Sequence, residues 1–255
     1  MLRRELEYFF AAIRFFTRLP VPGWVGHSAE ALTHSARWFP AVGLIVGGIG
    51  ALVYLAAAQI WPPAVAVLLS MAATILATGA FHEDGLSDTA DGLGGGWEKS
   101  RILEIMKDSR VGSYGVLAMV LALLGKFVVL AALDPALVPC ALIAGHALSR
   151  FCATLLMATM DYVRDDQLSK ARPVAQRISK GSLLFALLFV LAALALLPPE
   201  KAIAGCGLAA LATLWLAAKF KRWLGGYTGD CLGATQQLAE IAFYLGLLAH
   251  IGAIA

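Results

Sequence analysis

Apolar residues in this chain come in long blocks, separated by short, crowded polar connections. Seven blocks, 39–60, 63–81, 113–133, 136–160, 182–198, 202–218 and 235–254, approach the roughly 20 residues a helix needs to cross a bilayer. Pro62-Pro63, Asp134-Pro135 and Pro198-Pro199 mark short turns at one end of the bundle these helices would form. The three long connections, 82–112, 161–181 and 219–234, fall at the other end with the N-terminus. Ahead of the first block, Leu2, Leu6, Phe9, Ile13 and Phe16 recur at helical spacing, while Arg4, Glu7, Arg14 and Arg18 take the opposite face. This predicts an interfacial amphipathic helix over residues 1–20, ending at Leu19-Pro20, in the headgroup region or packed across the ends of the spanning helices. Arginines inside this run, and the lack of a small-residue cleavage site, argue against a signal peptide. The expected class is all-α: a single integral-membrane domain over residues 1–255, polytopic and helical, with about seven spans.

Composition agrees. Of 255 residues, 60% are hydrophobic and 15% charged, with a mean hydropathy of +0.76; a soluble domain carries about 25% charged residues. The net charge of +3 matters less than its placement. Seventeen of the 20 lysines and arginines lie in the N-terminal region and the three long connections, Lys201 alone lies at the opposite end, and Lys126 and Arg150 fall within spans. The positive-inside rule then places the N-terminus and the motif loops 82–112, 161–181 and 219–234 in the cytoplasm, and the C-terminus outside. Cys140, Cys152, Cys206 and Cys231 form no C-x-x-C pair, so neither a zinc site nor a disulfide framework is indicated.

The richest chemistry sits in His82-Glu83-Asp84-Gly85-Leu86-Ser87-Asp88-Thr89-Ala90-Asp91-Gly92. On a helix, Asp84, Asp88 and Asp91 fall within about 60° of one another. Three carboxylates on one stripe repel unless a cation sits among them, and oxygen-only ligands suit Mg²⁺. An acidic first turn of a solvated helix explains Asp84 but not the whole spacing. Further on, Lys107-Asp108-Ser109-Arg110 offers a fourth carboxylate, as ligand or base, beside two cations able to neutralise phosphate. The connection Leu224-Gly225-Gly226-Tyr227-Thr228-Gly229-Asp230-Cys231-Leu232-Gly233-Ala234 has four glycines in eleven residues, too many for a helix interior. It reads either as a phosphate cradle feeding a helix N-terminus or as a flexible turn. Within the spans, Lys126, His146, Arg150 and Glu240 are costly to bury. His146 and Arg150 share a face at i, i+4, and Arg150 needs an anion: Glu240, a ladder aspartate or a substrate phosphate. Lys126 fits a structural ion pair equally well.

Together with Phe16-Thr17-Arg18-Leu19-Pro20-Val21-Pro22 and Ser149-Arg150, these three motifs resemble the cobalamin synthase family, the adenosylcobinamide-GDP ribazoletransferases, over essentially the whole chain. The resemblance implies an Mg²⁺-dependent transferase that joins adenosylcobinamide-GDP to α-ribazole or its 5′-phosphate and releases GMP. It implies catalytic roles for Asp84, Asp88, Asp91 and Asp108, the first three also holding the metal. Substrate contacts are implied for His82, Lys107, Ser109, Arg110, Arg150, Gly229, Asp230, Gly233 and Glu240. The implied setting is a bacterial cytoplasmic membrane, with membrane lipid around the chain, the active site facing the cytosol and no nucleic-acid partner. A homo-oligomer or an association with other cobalamin-assembly enzymes is compatible with it.

Two other classes are open to the residues. Asp88-Thr89-Ala90-Asp91-Gly92 copies the opening of the CDP-alcohol phosphotransferase motif without its continuation, and Asp161 and Asp165 have the spacing of a second prenyltransferase cluster. A corrinoid or ion transporter would use buried Lys126, Arg150 and Glu240 as coupling residues, but no internal repeat supports it.

Overall fold

A computed structural model describes residues 2–26, 29–164 and 178–249. Asp165 and most of the 161–181 connection lie outside the described residues. The fold is helical throughout these residues, in the order α1 (Leu2–Phe16), α2 (Ala29–Ser35), a 3₁₀ turn, α3 (Phe39–Ala57), α4 (Pro63–Thr78), α5 (Phe81–Gly95), α6 (Lys99–Ile105), α7 (Ser113–Ala132), α8 (Val138–Thr159), α9 (Lys180–Leu194), α10 (Pro199–Leu224) and α11 (Gly229–Leu248). A lone bridge between Tyr162 and Tyr227 is the one β-type pairing described.

All seven apolar blocks are helices, but fewer than seven are full-length spans. Among the described residues, Ala31–Ala57, α7, α8 and α10 are each long and apolar enough to cross a membrane. Helix α4 qualifies only together with α5, and the two meet at 87°. Helix α9 has 15 residues, and α11 buries Gln236, Gln237 and Glu240, which lowers its hydropathy. The expectation of about seven spans is corrected to four, or five with the bent pair. Polar residues that the protein interior needs shorten the purely apolar runs.

Helix α3 packs closely on α8 because Gly43 and Gly47 face it: a Cβ at either would collide with the backbone of His146 or Leu142. Small residues at this four-residue spacing let helix backbones approach in lipid, where dispersion and short polar contacts drive association. Around this crossing, Tyr54, Leu130, Leu142, Phe243 and Tyr244 form the core of one half. A second core joins Ile13, Phe16, Phe39, Leu86, Phe220 and Leu224.

Helix α1 thus packs across the ends of the other helices, with Tyr8, Ala11, Ala12, Ile13 and Phe16 buried. Leu2 and Leu6 remain exposed, as an interfacial helix requires at its free end. It stops at Phe16 rather than at Leu19-Pro20. The Thr17 hydroxyl donates to the Ile13 carbonyl at 2.7 Å, and the Arg18 amide donates to the Ala77 carbonyl of α4 at 2.8 Å, which diverts the chain.

Candidate active site

The site is built on a bend. Helix α4 ends at Gly79 (φ 67°) and Ala80 (φ 59°), both left-handed, and the chain restarts as α5 across the end of the bundle. Such a conformation is routine for glycine but costs alanine roughly 1–2 kcal/mol. The Arg18 guanidinium lies over Gly79, where a side chain would strike it. The aspartate ladder is therefore helical, as its spacing predicts, and runs along the edge of the bundle rather than into it.

Helix α5 crosses the first turn of α11 with Gly85 against Gly233 and the Asp230 backbone. This corrects the reading of 219–234 as a glycine-rich loop: Gly229 begins α11 and Gly233 lies inside it. The close approach of α5 is the physical reason glycine is tolerated there. Thr228 caps α11, its hydroxyl accepting from the Cys231 amide at 3.3 Å.

The crossing brings Asp230 to the ladder. Burial, then the charges of Asp230 and Asp84, push the Asp88 carboxyl up to about 7. Burial likewise raises Asp230, while Arg164 opposes the shift. Arg164 Nη2 pairs with Asp230 Oδ2 at 2.8 Å and also donates to the Met106 carbonyl at 3.3 Å. The cluster is thus Asp84, Asp88 and Asp230, with Arg164 as its neighbouring cation. Arg164 escaped the sequence reading because it opens a basic connection that looks like an ordinary topogenic signal.

Asp91 is turned elsewhere. Its two oxygens accept from the Gly112 amide at 2.7 Å and the Gly115 amide at 2.8 Å, so it holds the N-terminus of α7. Asp108 and Arg110 pair with each other at 2.6 Å on the exposed 106–112 connection, and that hydrogen-bonded pairing holds Asp108 down at about 2. A carboxyl so acidic is a weak base, which removes the reason for making Asp108 the proton acceptor. Arg110, Lys107 and Ser109 are exposed, and Arg110 lines an open groove with Asp91 and Asp108.

Glu240 and Arg150 lie deeper. Glu240 Oε1 meets Lys126 Nζ at 3.0 Å and the Tyr244 hydroxyl at 3.1 Å, and Oε2 meets His146 Nδ1 at 3.3 Å. Lys126 also donates to Gln237 at 2.9 Å, and Gln237 donates to Glu83 at 2.9 Å. Glu240 therefore sits in a buried network rather than facing a substrate. Arg150 takes no direct partner from Glu240; it donates to the His146 carbonyl at 3.0 Å and contacts His146 Nδ1 at 3.2 Å.

Arg150 reaches instead into a cavity walled by Phe15, Phe16, Phe39, Phe81, Tyr162 and Tyr227. His82, Gly229, Gly233 and Gln236 complete the lining on the side toward Asp230. His82 stacks on Phe16 at 5.2 Å, and burial, reinforced by the Arg150 charge, keeps its imidazole neutral. The structure thus gathers His82, Arg150, Gly229 and Gly233 at one pocket and Asp84, Asp88 and Asp230 beside it. It leaves Lys107, Asp108, Ser109 and Arg110 apart, and Glu240 below.

As placed, no three His, Cys, Asp or Glu side chains among the described residues converge tightly enough to grip one ion. The donor chemistry still suits Mg²⁺: Asp84, Asp88 and Asp230 offer oxygen alone, and the rise at Asp88 comes from burial and then from the charges of Asp230 and Asp84, a repulsion that a divalent cation would relieve. Asp91 is the poorer ligand, since each oxygen already accepts a backbone N–H.

The architecture and site define a helical membrane protein with a cluster of carboxylates where α5 crosses α11. The sequence matches the Cobalamin-5-phosphate synthase family over residues 8–248, and the chain belongs to that family. Relatives named adenosylcobinamide-GDP ribazoletransferase include one from Leptothrix cholodnii, 49% identical over 98% of both chains. Another, from Shewanella woodyi, is 48% identical over 97% of this chain and 98% of its own. A third, from a Polaromonas species, is 48% identical over 94% and 95%. No solved structure matches significantly.

Proposed function

We propose that this chain joins adenosylcobinamide-GDP to α-ribazole, or to its 5′-phosphate, and releases GMP, using Mg²⁺ held by Asp84, Asp88 and Asp230. The observation that carries the reading is the carboxylate cluster where α5 crosses α11, with Arg164 beside it, backed by family membership. A diphosphate brings further negative charge to three carboxylates, so the two can share a site only with a cation between them. Bound Mg²⁺ would neutralise the diphosphate and the departing GMP.

The remaining work falls to the chain. A ribazole hydroxyl attacks the phosphorus attached to cobinamide; one P–O bond forms, the bond to GMP breaks, and the hydroxyl proton is lost. Little covalent help is needed in such transfers, so positioning and charge dominate. Arg164, fixed by Asp230 and the Met106 carbonyl, stands where it can meet a phosphate oxygen. The basic segments face the cytosol in this reading, within a bacterial cytoplasmic membrane, where both soluble substrates can arrive.

The test is GMP release by the purified protein over a magnesium titration. Asp84→Asn and Asp88→Asn should insert normally yet lose about 100-fold or more in turnover, the scale of losing electrostatic stabilisation of a transferring group. Near-normal turnover of both variants at limiting Mg²⁺ would refute the assignment.

A further inference from the structure

The aromatic cavity beneath α1 is a built pocket with unused polar atoms. His82 Nε2, Arg150 Nε and the Tyr227 hydroxyl are buried and lack hydrogen-bond partners. Their residues are 4%, 1% and 1% exposed, and all three line the cavity. Leaving such atoms unpaired costs about 1–3 kcal/mol each, so three at one cavity point to a ligand that satisfies them. The walls narrow the choice. Phe16 stands edge-on to Phe39 at 4.4 Å, Tyr162 edge-on to Tyr227 at 5.5 Å, and the Arg150 guanidinium lies 6.0 Å from the Phe16 ring. Flat aromatic faces with few polar groups select a flat, weakly polar ring.

We propose that this pocket holds the bicyclic benzimidazole base of the ribazole acceptor, with its free ring nitrogen facing the buried donors of Arg150 and Tyr227. The inference rests on the transfer reading above and extends it to acceptor recognition. Gly229 and Gly233 belong both to the pocket and to the first turn of α11, so a base seated there carries its ribose toward Asp230 and the ladder.

Guanine is the other bicyclic base in the reaction, and the pocket is wrong for it. Guanine presents an exocyclic donor and two acceptors at its edges, besides its ring N–H. No lining residue is acidic, and the amide of Gln236 is committed: its oxygen accepts from Gln237 at 2.9 Å and its nitrogen donates to Ser149 at 2.9 Å. Guanine brings two adjacent donors, the ring N–H and the exocyclic amine, and among the lining side chains neutral His82 and the Tyr227 hydroxyl are the acceptors left, with no carboxylate to take both. The benzimidazole base has one free ring nitrogen, an acceptor, and brings no donor.

Three measurements test this. In steady-state kinetics, Ala153→Leu fills the pocket from α8 and Tyr227→Phe removes one hydroxyl. Each should raise the KM for ribazole, by about tenfold or more for Ala153→Leu, with the KM for adenosylcobinamide-GDP within about twofold of wild type. Wild-type enzyme given ribosides lacking one or both ring methyls should lose about fourfold in kcat/KM per methyl, the value of one buried CH₂. This arm needs no variant to fold. Calorimetric titration of wild type with α-ribazole alone should show binding that Ala153→Leu weakens, whether or not turnover is seen. A rise confined to the KM for adenosylcobinamide-GDP would place guanine in the pocket and overturn the proposal. Unchanged KM values with equal rates on methyl-free ribosides would also overturn it. Absence of GMP release by wild type, with ribazole still bound, would instead sink the transfer reading and leave the pocket standing.

Discussion

Removing the charge of Glu240 should damage the fold far more than the chemistry. In the buried network around Glu240, Lys126 and Arg150 stand against Glu83 and Glu240, and these four formal charges cancel. Glu240 is fully buried and touches Lys126 at 3.0 Å and His146 at 3.3 Å. Glu240→Gln leaves one uncompensated positive charge in a low-dielectric interior, and breaking a buried pair this way costs about 3–5 kcal/mol. The glutamine oxygen can still accept from Tyr244 or Lys126, which favours the lower figure. At about 2–4 °C per kcal/mol for a chain of this size, the midpoint should fall by roughly 6–12 °C. The assay is thermal unfolding in detergent, followed by size exclusion. Lys126→Met combined with Glu240→Gln removes both charges and should recover most of the loss, with a coupling of at least about 1.5 kcal/mol. A Glu240→Gln protein with a wild-type midpoint and a selectively raised KM would refute the argument and return Glu240 to the substrate.

Asp91→Asn should separate from the other ladder variants. It loses one acceptor at the α7 N-terminus, costing about 1–2 kcal/mol of stability, and should melt measurably lower than Asp88→Asn; equal melting would mean Asp91 is not the clamp. Arg164→Lys keeps the charge near Asp230 but loses the planar fork, so GMP release should drop about tenfold or more at unchanged melting temperature. Wild-type rates would restrict Arg164 to a structural pair. Because Asp88 titrates near 7 instead of its usual 3.8, the cation-free fold holds a proton there that the unfolded chain has lost. Stability should therefore decline as pH rises from about 4 to 7 and level off above, and Mg²⁺ should flatten the decline. Melting curves that ignore both pH and Mg²⁺ would contradict this. A cysteine placed at exposed Ser100 should react with an impermeant reagent only after the cells are permeabilised; labelling from outside would invert the orientation.

What the sequence made legible was whatever depends on neighbours along the chain. The apolar blocks, the helical aspartate stripe and the His146–Arg150 face all follow from spacing, and each stands in the structure. What it hid depends on neighbours in space. Asp91 has the spacing of a third metal ligand, yet Gly112 and Gly115, more than twenty residues on, claim its oxygens. Asp230 looks like one acid in a glycine-rich turn until Gly85 and Gly233 let two helices meet and place it beside Asp88. Glu83 lies off the aspartate stripe, yet it is buried and accepts from Gln237, so Glu83→Gln would disturb the α5–α11 contact.

Helix α5 is fastened at four points to three neighbouring parts of the chain. Its start follows a strained left-handed Ala80, overlaid at Gly79 by Arg18 from the end of α1. Its first turn is tied from below, where Glu83 accepts from Gln237 of α11. The next rests on α11 through Gly85, and Asp91 in the third grips α7. A catalyst that relies on placing a hydroxyl, a diphosphate and a leaving group in line needs this rigidity more than it needs reactive side chains. The strain at Ala80 fits that logic, because a residue in a costly conformation persists only where its surroundings over-determine it. Ala80→Gly would relieve the strain and also loosen the unfolded chain, so the net gain should be under about 1 kcal/mol. If the angle between α4 and α5 sets the ladder's position, turnover should fall even though the protein melts no lower. A variant that melts as wild type and turns over as wild type would show that the other three fastenings suffice.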